Sequence, residues 1–372
     1  MGRVRKRIRE RPGSTGDATA TAAGTPSRRT LLAGTAVGLL GLAACSPADT
    51  GTGPDGAADT ETLTRARDTA AGLAATLTAL GTANPGLADL PALLAQRHAR
   101  QIAVLTPESP QTTATAATSA GTAADAVAAE RAAAVQALGD LRGTTEDTTR
   151  LLTQIAADDA VHADLLASAA GLPAPAELTV PAAPGDASTQ APGASPAANS
   201  ATSTTTGSGN DATDGEVTLT PTAIALARSS AAAPPATRGA IHRLLAGEHA
   251  AIYAYGVAVA RVNPEQRDTA RAGWQAHRQR RDALTEQVRQ LGLTPAAALD
   301  AYDLGDLGEG STAAVTLITR VEQRLATVAL SAAGLTDGAL RDLAARTVVD
   351  CARRQATWTR APADLPDLPA ES

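Results

Sequence analysis

Apolar residues recur at spacings of three and four through two long stretches, 58–170 and 235–360, with Gly, Pro and Asn between the runs. Almost nowhere do apolar and polar positions alternate strictly. This is the period of amphipathic helices, not of strands. The pattern predicts helices near 59–82, 87–105, 119–140 and 145–168 in the first stretch. In the second it predicts helices near 236–260, 265–291, 311–332 and 336–359. Four such helices joined by turns close as a four-helix bundle. The expected class is therefore all-α, with two bundles. Ala and Leu dominate both stretches; Ala favours helix and lets helices approach closely, but buries little area. Narrow bundles with modest cores follow.

The two stretches share landmarks. Asn84-Pro85 recurs as Asn263-Pro264, and His98 recurs as His277, both at an offset of 179. Glu130 is matched by Glu322 at an offset of 192, and Asp159 by Asp350 within about a residue of that. Unlike residue types at near-constant spacing point to an internal duplication, with a longer second-to-third connection in the second copy.

Outside these stretches the composition shifts. Residues 45–57 read as a short tether and 361–372 as a flexible tail. Residues 171–234, rich in Ala, Pro, Ser, Thr and Gly, read as a low-complexity linker with little to bury. Within it, VTLTPTAIALARSS fits either a short helix or a strand-like turn. Each helical stretch exceeds a hundred residues, enough for a small domain of its own.

The first 44 residues form a different kind of segment. Basic residues precede an apolar run from Leu31 to Ala44, which ends at Cys45. Fourteen helical residues span roughly 21 Å, short of the ~30 Å hydrocarbon core. A cationic start, an apolar middle and small residues before a cut make a signal peptide. Leu42-Ala43-Ala44-Cys45 resembles a bacterial lipobox, which implies lipidation of Cys45 as the mature first residue. Ser27-Arg28-Arg29-Thr30-Leu31-Leu32 resembles a twin-arginine export signal, with Leu31 where Phe is frequent. The expected location is the extracytoplasmic face of the cell membrane, held by lipid.

The whole chain carries −6. Its first 44 residues hold eight basic and two acidic side chains, so the remainder carries −12. With no Phe, two Trp and three Tyr, it lacks the basic stripe and stacking rings of a nucleic-acid binder. Cys351 is left as a lone thiol in a helical pattern and reads as buried and inert. No P-loop, dinucleotide glycine run, nucleophile elbow, HExxH or zinc-finger spacing is present.

The chemistry lies in the polar residues that fall on apolar faces. In the second stretch these are Glu248, His277, Glu322 and Asp350, one per helix. In the first they are His98, Glu130, Asp159 and His162, with Thr69 where the second stretch has Glu248. Unpaired charges there would be costly. The set outlines a carboxylate-bridged di-metal bundle, which uses a Glu from two helices and Glu-x-x-His from the other two. It is incomplete in both copies. Both helix-two segments keep the His and lack the acid, and the second copy has Trp274 and Arg353 near the expected centre. Two readings follow. The first copy offers a single metal site of His98, Glu130, Asp159 and His162. The second offers a polar core network of Glu248, His277, Arg281, Glu322, Asp350 and Arg353 that fixes helix register.

Glu248-His-Ala-Ala-Ile-Tyr-Ala-Tyr-Gly256 and His277-x-x-Arg280-Arg281-Asp282 resemble a ferritin-like domain family of unknown function found in actinobacterial proteins. The resemblance covers about 236–360 and implies a four-helix ferritin-like fold in an envelope protein, without an established activity. The first stretch resembles the divergent helical region that accompanies such domains in exported lipoproteins. The leading expectation is a lipid-anchored envelope protein with a non-catalytic structural, binding or accessory role, needing no cofactor. The alternative is a metal-binding or metal-dependent oxidoreductase protein with a degenerate carboxylate/histidine site. The expected partners are the membrane, through the N-terminal lipid, and an envelope protein of unspecified identity; nucleic acid is not among them.

Overall fold

The computed structural model describes residues 54–105, 121–178, 234–305 and 307–362. The export signal at Arg28 and Arg29, the lipidation residue Cys45, and residues 179–233 of the linker lie outside these. The described residues contain eight α-helices, and no strand is found among them. The first four are α1 Pro54–Ala83, α2 Asp89–Leu105, α3 Ala123–Gly139 and α4 Glu146–Ala169. The second four are α5 Pro235–Val259, α6 Arg267–Gln290, α7 Gly310–Leu335 and α8 Gly338–Thr359. They form two helix bundles, consistent with a duplicated ferritin-like four-helix bundle. No described helix is long and apolar enough to cross a membrane.

Each bundle repeats one plan. The first and second helices pack together, as do the third and fourth: α1 on α2, α3 on α4, α5 on α6 and α7 on α8. The Asn-Pro landmarks have a shared structural cause. Asn84 and Asn263 each precede a short 3₁₀ turn, Pro85–Leu87 and Pro264–Gln266, that separates the first helix from the second. Proline's fixed φ suits the first position of such a turn, where its missing N–H costs nothing. A capping box starts α3: the Thr122 hydroxyl accepts from the Asp125 N–H, and the Asp125 carboxylate accepts from the Thr122 N–H.

The buried positions follow the helical period. Along α6 they are Ala270, Gly273, His277, Arg280, Leu284 and Val288, one stripe at spacings of three and four. Helix α4 departs from this. It is buried nearly all round, from Thr148 to Ala167, because it packs on α3 on one side and on α7 and α8 on the other. One apolar core accordingly runs through both bundles, from Leu138, Leu152 and Val161 to Ile241, Leu330 and Val348.

Polar clasps reinforce that contact. The buried Arg341 donates to the carbonyls of Leu141, Thr144 and Thr336, tying the turn before α4 to the turn before α8. Arg353 makes a forked pair with Asp164 of α4 at 2.7 and 2.9 Å and reaches the Pro175 carbonyl. A Cβ at Gly334 would stand 2.8 Å from Glu146 Cγ, so a larger residue there would have to displace the Glu146 side chain where α7 meets α4.

The helix limits differ from the sequence reading in small ways. Helix α1 starts at Pro54, within the expected tether, and α7 runs on to Leu335. Residues 171–178, at the start of the expected linker, lie against the bundles: Ala176 O accepts from Arg131 at 2.6 Å, and Leu178 packs on the shared core.

Candidate metal centre

In the first bundle, His98 on α2, Glu130 on α3, and Asp159 and His162 on α4 converge. Each offers one ligand atom, and the four atoms lie within 4.8 Å of one another. His98, Glu130 and His162 are fully buried and Asp159 is 2 % exposed. The convergence follows from helical geometry. His98 shares its face with Leu94, Gln101 and Leu105, Glu130 shares one with Ala126, Ala133 and Ala137, and the three-residue step from Asp159 to His162 holds both on one side of α4.

His98 Nε2 stands 2.9 Å from Glu130 Oε1, and His162 Nδ1 stands 3.4 Å from His98 Nε2 and 3.6 Å from Glu130 Oε2. The two imidazoles meet edge to face. At the far side of His98, Nδ1 lies 2.8 Å from Gln101 Oε1, an acceptor. That contact keeps the Nδ1 proton and leaves Nε2 as the nitrogen that would bind an ion on losing its own proton, the outer-shell arrangement of metal-binding histidines. Gln101 in turn donates to Asp158 and, at 3.4 Å, to Asp159. Arg97 grips Asp158 from outside with bonds of 2.7 and 3.1 Å.

The electrostatics favour a charged His98 beside a charged Glu130 and disfavour charge on Asp159. Burial would lower the His98 pKa, but Glu130 and Asp159 outweigh it and raise it to about 9. Burial would likewise raise Glu130, but His98 and His162 hold it down at about 2. Burial pushes the Asp159 carboxyl well above its usual range, and Glu130 and Asp158 add their repulsion against the opposing pull of His98. Glu130 Oε2 and His162 Nε2 are buried without a hydrogen-bond partner among the described residues. A metal ion would take the place of the His98 proton and allow Asp159 to ionise. Two imidazoles with two carboxylates suit a divalent first-row ion. Ligand atoms around one such ion sit about 3–4 Å apart, so the closer pairs already fit and the widest needs a side-chain adjustment. The residues present fit a single ion.

The second bundle answers the same problem differently. His277 Nδ1 lies 2.8 Å from Glu248 Oε2, and its Nε2 lies 3.2 Å from Glu322 Oε1. Arg280 donates to Glu248 at 2.8 Å and to Asp350 at 3.0 Å. Arg354 lies 3.3 Å from Glu322, and the Tyr255 hydroxyl donates to Glu322 at 2.5 Å. Burial alone would lower the His277 pKa, but Glu322 and Glu248 raise it. Burial alone would raise Glu322, but His277, Arg354 and Arg280 bring it down to about 2. A Cβ on Gly273 would meet the Tyr255 ring at 2.6 Å, so glycine there makes the room for Tyr255. Guanidiniums occupy this centre, and the donor set does not fit two cations, or one.

Two residues of the expected network stand elsewhere. Arg281 is turned toward solvent on Asp282, and the inward arginine of α6 is Arg280, in register with His277 and Leu284. Arg353 faces α4 and Asp164, while its neighbour Arg354 reaches Glu322. Helix α8 is buried on two sides, and the sequence reading assigned it only one. Glu248, His277, Glu322 and Asp350 do come together. Tyr255, Arg280, Arg354, Gln101, Asp158 and Arg97 complete the two sites and were absent from the sequence-derived sets. The signal for two of them was the shared step after the histidine: Gln101 follows His98 by three, as Arg280 follows His277. Trp274 is partly buried at the rim, with the Arg278 guanidinium 5.2 Å from its ring. Cys351 is fully buried, and burial pushes its thiol well up.

Comparison with known proteins gives a limited match. Residues 240–370 match the model of a domain of unknown function (DUF4439). Among solved structures, the chain is similar to a conserved hypothetical protein from Mycobacterium tuberculosis at 28% identity, over 34% of this chain and 96% of that one, with a TM-score of 0.33. No curated protein matches. Most of the second bundle is thus similar to a domain family without an assigned function.

Proposed function

We propose that this chain is a metal-binding protein of the cell envelope, whose first bundle holds one divalent first-row cation through His98, Glu130, Asp159 and His162. The observation that carries the reading is the convergence of four buried ligand atoms within 4.8 Å, from three different helices. When bound, the ion supplies a compact positive charge that neutralises Glu130 and Asp159. The chain's own residues do the rest: Gln101 fixes the His98 tautomer, Arg97 and Gln101 restrain Asp158, and α3 and α4 exclude bulk water. The second bundle serves as a metal-free scaffold, a role supported by the guanidiniums of Arg280 and Arg354 among its acids. Anchoring through a lipid on Cys45, after export directed by Arg28 and Arg29, rests on the sequence pattern alone.

The test is elemental analysis of the purified chain, with calorimetric titration by Zn²⁺, Mn²⁺ and Fe²⁺. We expect one ion per chain, lost in His98→Ala and Glu130→Gln and retained in His277→Ala. No bound ion at micromolar metal, or binding unaffected by both first-bundle variants, overturns the reading.

A further inference from the structure

The two ring nitrogens of His162 face different residues. Its Nδ1 faces the cluster, 3.4 Å from His98 Nε2 and 3.6 Å from Glu130 Oε2. Its Nε2 stands 3.7 Å from Asp158 Oδ1 and has no hydrogen-bond partner among the described residues. Asp158 lies one helical turn before His162 on α4, and both are buried. Bulk water does not reach that nitrogen, and Asp158 is the acceptor at hand.

Asp158 is held in place from its other side. Arg97 Nη2 and Nε donate to its Oδ1 at 2.7 and 3.1 Å, and Gln101 Nε2 donates to its Oδ2 at 3.1 Å. Both carboxylate oxygens are engaged, which suits Asp158 to orient a neighbour and not to bind an ion. The second bundle repeats the arrangement with a different side chain. The offset of 192 that relates Glu130 to Glu322 also relates Asp158 to Asp350 and His162 to Arg354. There Arg354 spans the same two acids, 3.3 Å from Glu322 and 3.6 Å from Asp350, and Asp350 is held by Arg280 of the bundle's second helix.

We propose that Asp158 is a positioning residue of the metal centre: it accepts a hydrogen bond from the Nε2–H of His162, so that His162 binds the ion through Nδ1 while His98 binds through Nε2. The inference rests on the metal reading above and adds to it a residue and a choice of nitrogens. A neutral imidazole carries one ring proton, and the nitrogen that keeps it is the one facing an acceptor. Gln101 Oε1 is that acceptor for His98 Nδ1, and Asp158 Oδ1 is that acceptor for His162 Nε2. Closing the 3.7 Å separation by about 0.5–1 Å gives an ordinary N–H···O length. Removing an outer-shell partner of this kind lowers metal affinity about 10–100-fold.

The experiment records long-range ¹H–¹⁵N correlations of the histidine rings in the full chain, assigned through the backbone, before and after Zn²⁺ is added. Two rings should take the ion, His162 with Nδ1 bound and Nε2 protonated, His98 the reverse. Asp158→Ala combined with Arg97→Met removes the acceptor without stranding a guanidinium. It should bind Zn²⁺ about 10–100-fold more weakly in competition with a chromophoric chelator. Circular dichroism checks that the variant is folded, and the choice of nitrogens is read on the original chain, so it decides the matter even where the variant does not fold. Zn²⁺ bound through Nε2 of both rings, or a folded variant that binds as tightly as the original chain, overturns the role of Asp158 and leaves the metal site standing. Failure of the original chain to bind Zn²⁺ overturns both.

Discussion

The two bundles bury the same histidine–glutamate pair and balance it by different means. In the second, His277 lies between Glu248 and Glu322, and Arg280 and Arg354 bring permanent positive charge to the acids. In the first, His98 meets Glu130, while Gln101 stands where Arg280 would be and Thr69 where Glu248 would be. Arg97 is the buried guanidinium there, and it is committed to Asp158. One bundle balances its acids with permanent guanidinium charge; the other has at the matching place only the His98 proton, which a metal ion can replace. A shared fold thus yields two kinds of site through changes at the residues beside the histidine and on the first helix.

The sharpest way to break this comparison is to remove the internal cation. Arg280→Met takes the buried guanidinium from Glu248 and leaves it His277 alone, and breaking a buried pair in this way costs about 3–5 kcal/mol. Gln101→Met, at the matching position, removes hydrogen bonds but no charge and should cost about 1–3 kcal/mol in metal-free protein. Urea unfolding of both variants measures the difference. Equal losses would mean that the two centres are balanced alike.

Metal affinity separates the bundles next. His162→Ala should weaken metal binding by about 100-fold or more, and Arg97→Met, which frees Asp158, by about 10–100-fold. Tyr255→Phe should leave affinity unchanged while costing about 1–2 kcal/mol of stability, since Glu322 loses a buried donor. Calorimetric titration beside thermal unfolding checks all three.

The pH response sharpens the picture of the second bundle. Glu322 is held near 2 against an ordinary 4.5, so its stabilisation is complete above about 4.5 and is lost as pH falls toward 2. His277 is raised above 6.5, so its contribution is complete below 6.5 and is lost as pH climbs through the raised value. Stability from this network should therefore plateau between about pH 4.5 and 6.5. Glu322→Gln should flatten the acid limb, and denaturant unfolding across pH reads it. The smallest effect belongs to Arg281→Ala. Its side chain sits at the surface on Asp282, and the change should stay within about 0.5 kcal/mol.

The helical period revealed the fold because nearly every helix buries a single stripe, and the Asn-Pro turns marked equivalent breaks in both copies. The metal cluster was legible for the same reason: Asp159 and His162 share a face, and His98 and Glu130 each interrupt an apolar stripe. Two kinds of information were not local. Which of two adjacent arginines turns inward depends on what the helix packs against. Arg353 and Arg354 are both engaged, one by each neighbour of α8. The role of Arg97 and Gln101 depends on Asp158, about sixty residues away, which no spacing rule connects to them. Periodicity identifies a buried face, but the partner across it is fixed only by tertiary packing.

The burial of α4 on every side also imposes an order in time. Its sequence ends at Ala169, and the helices that cover its outer face begin at Gly310 and Gly338. Roughly 140 residues separate α4 from α7. At ~5–20 residues per second, synthesis leaves that face uncovered for roughly 7–28 s. Over that interval the helix that supplies Asp159 and His162 lacks one wall, and the first bundle cannot reach its final packing. The helix behind the centre nearest the N-terminus therefore receives its outer wall only after the C-terminal helices have been made.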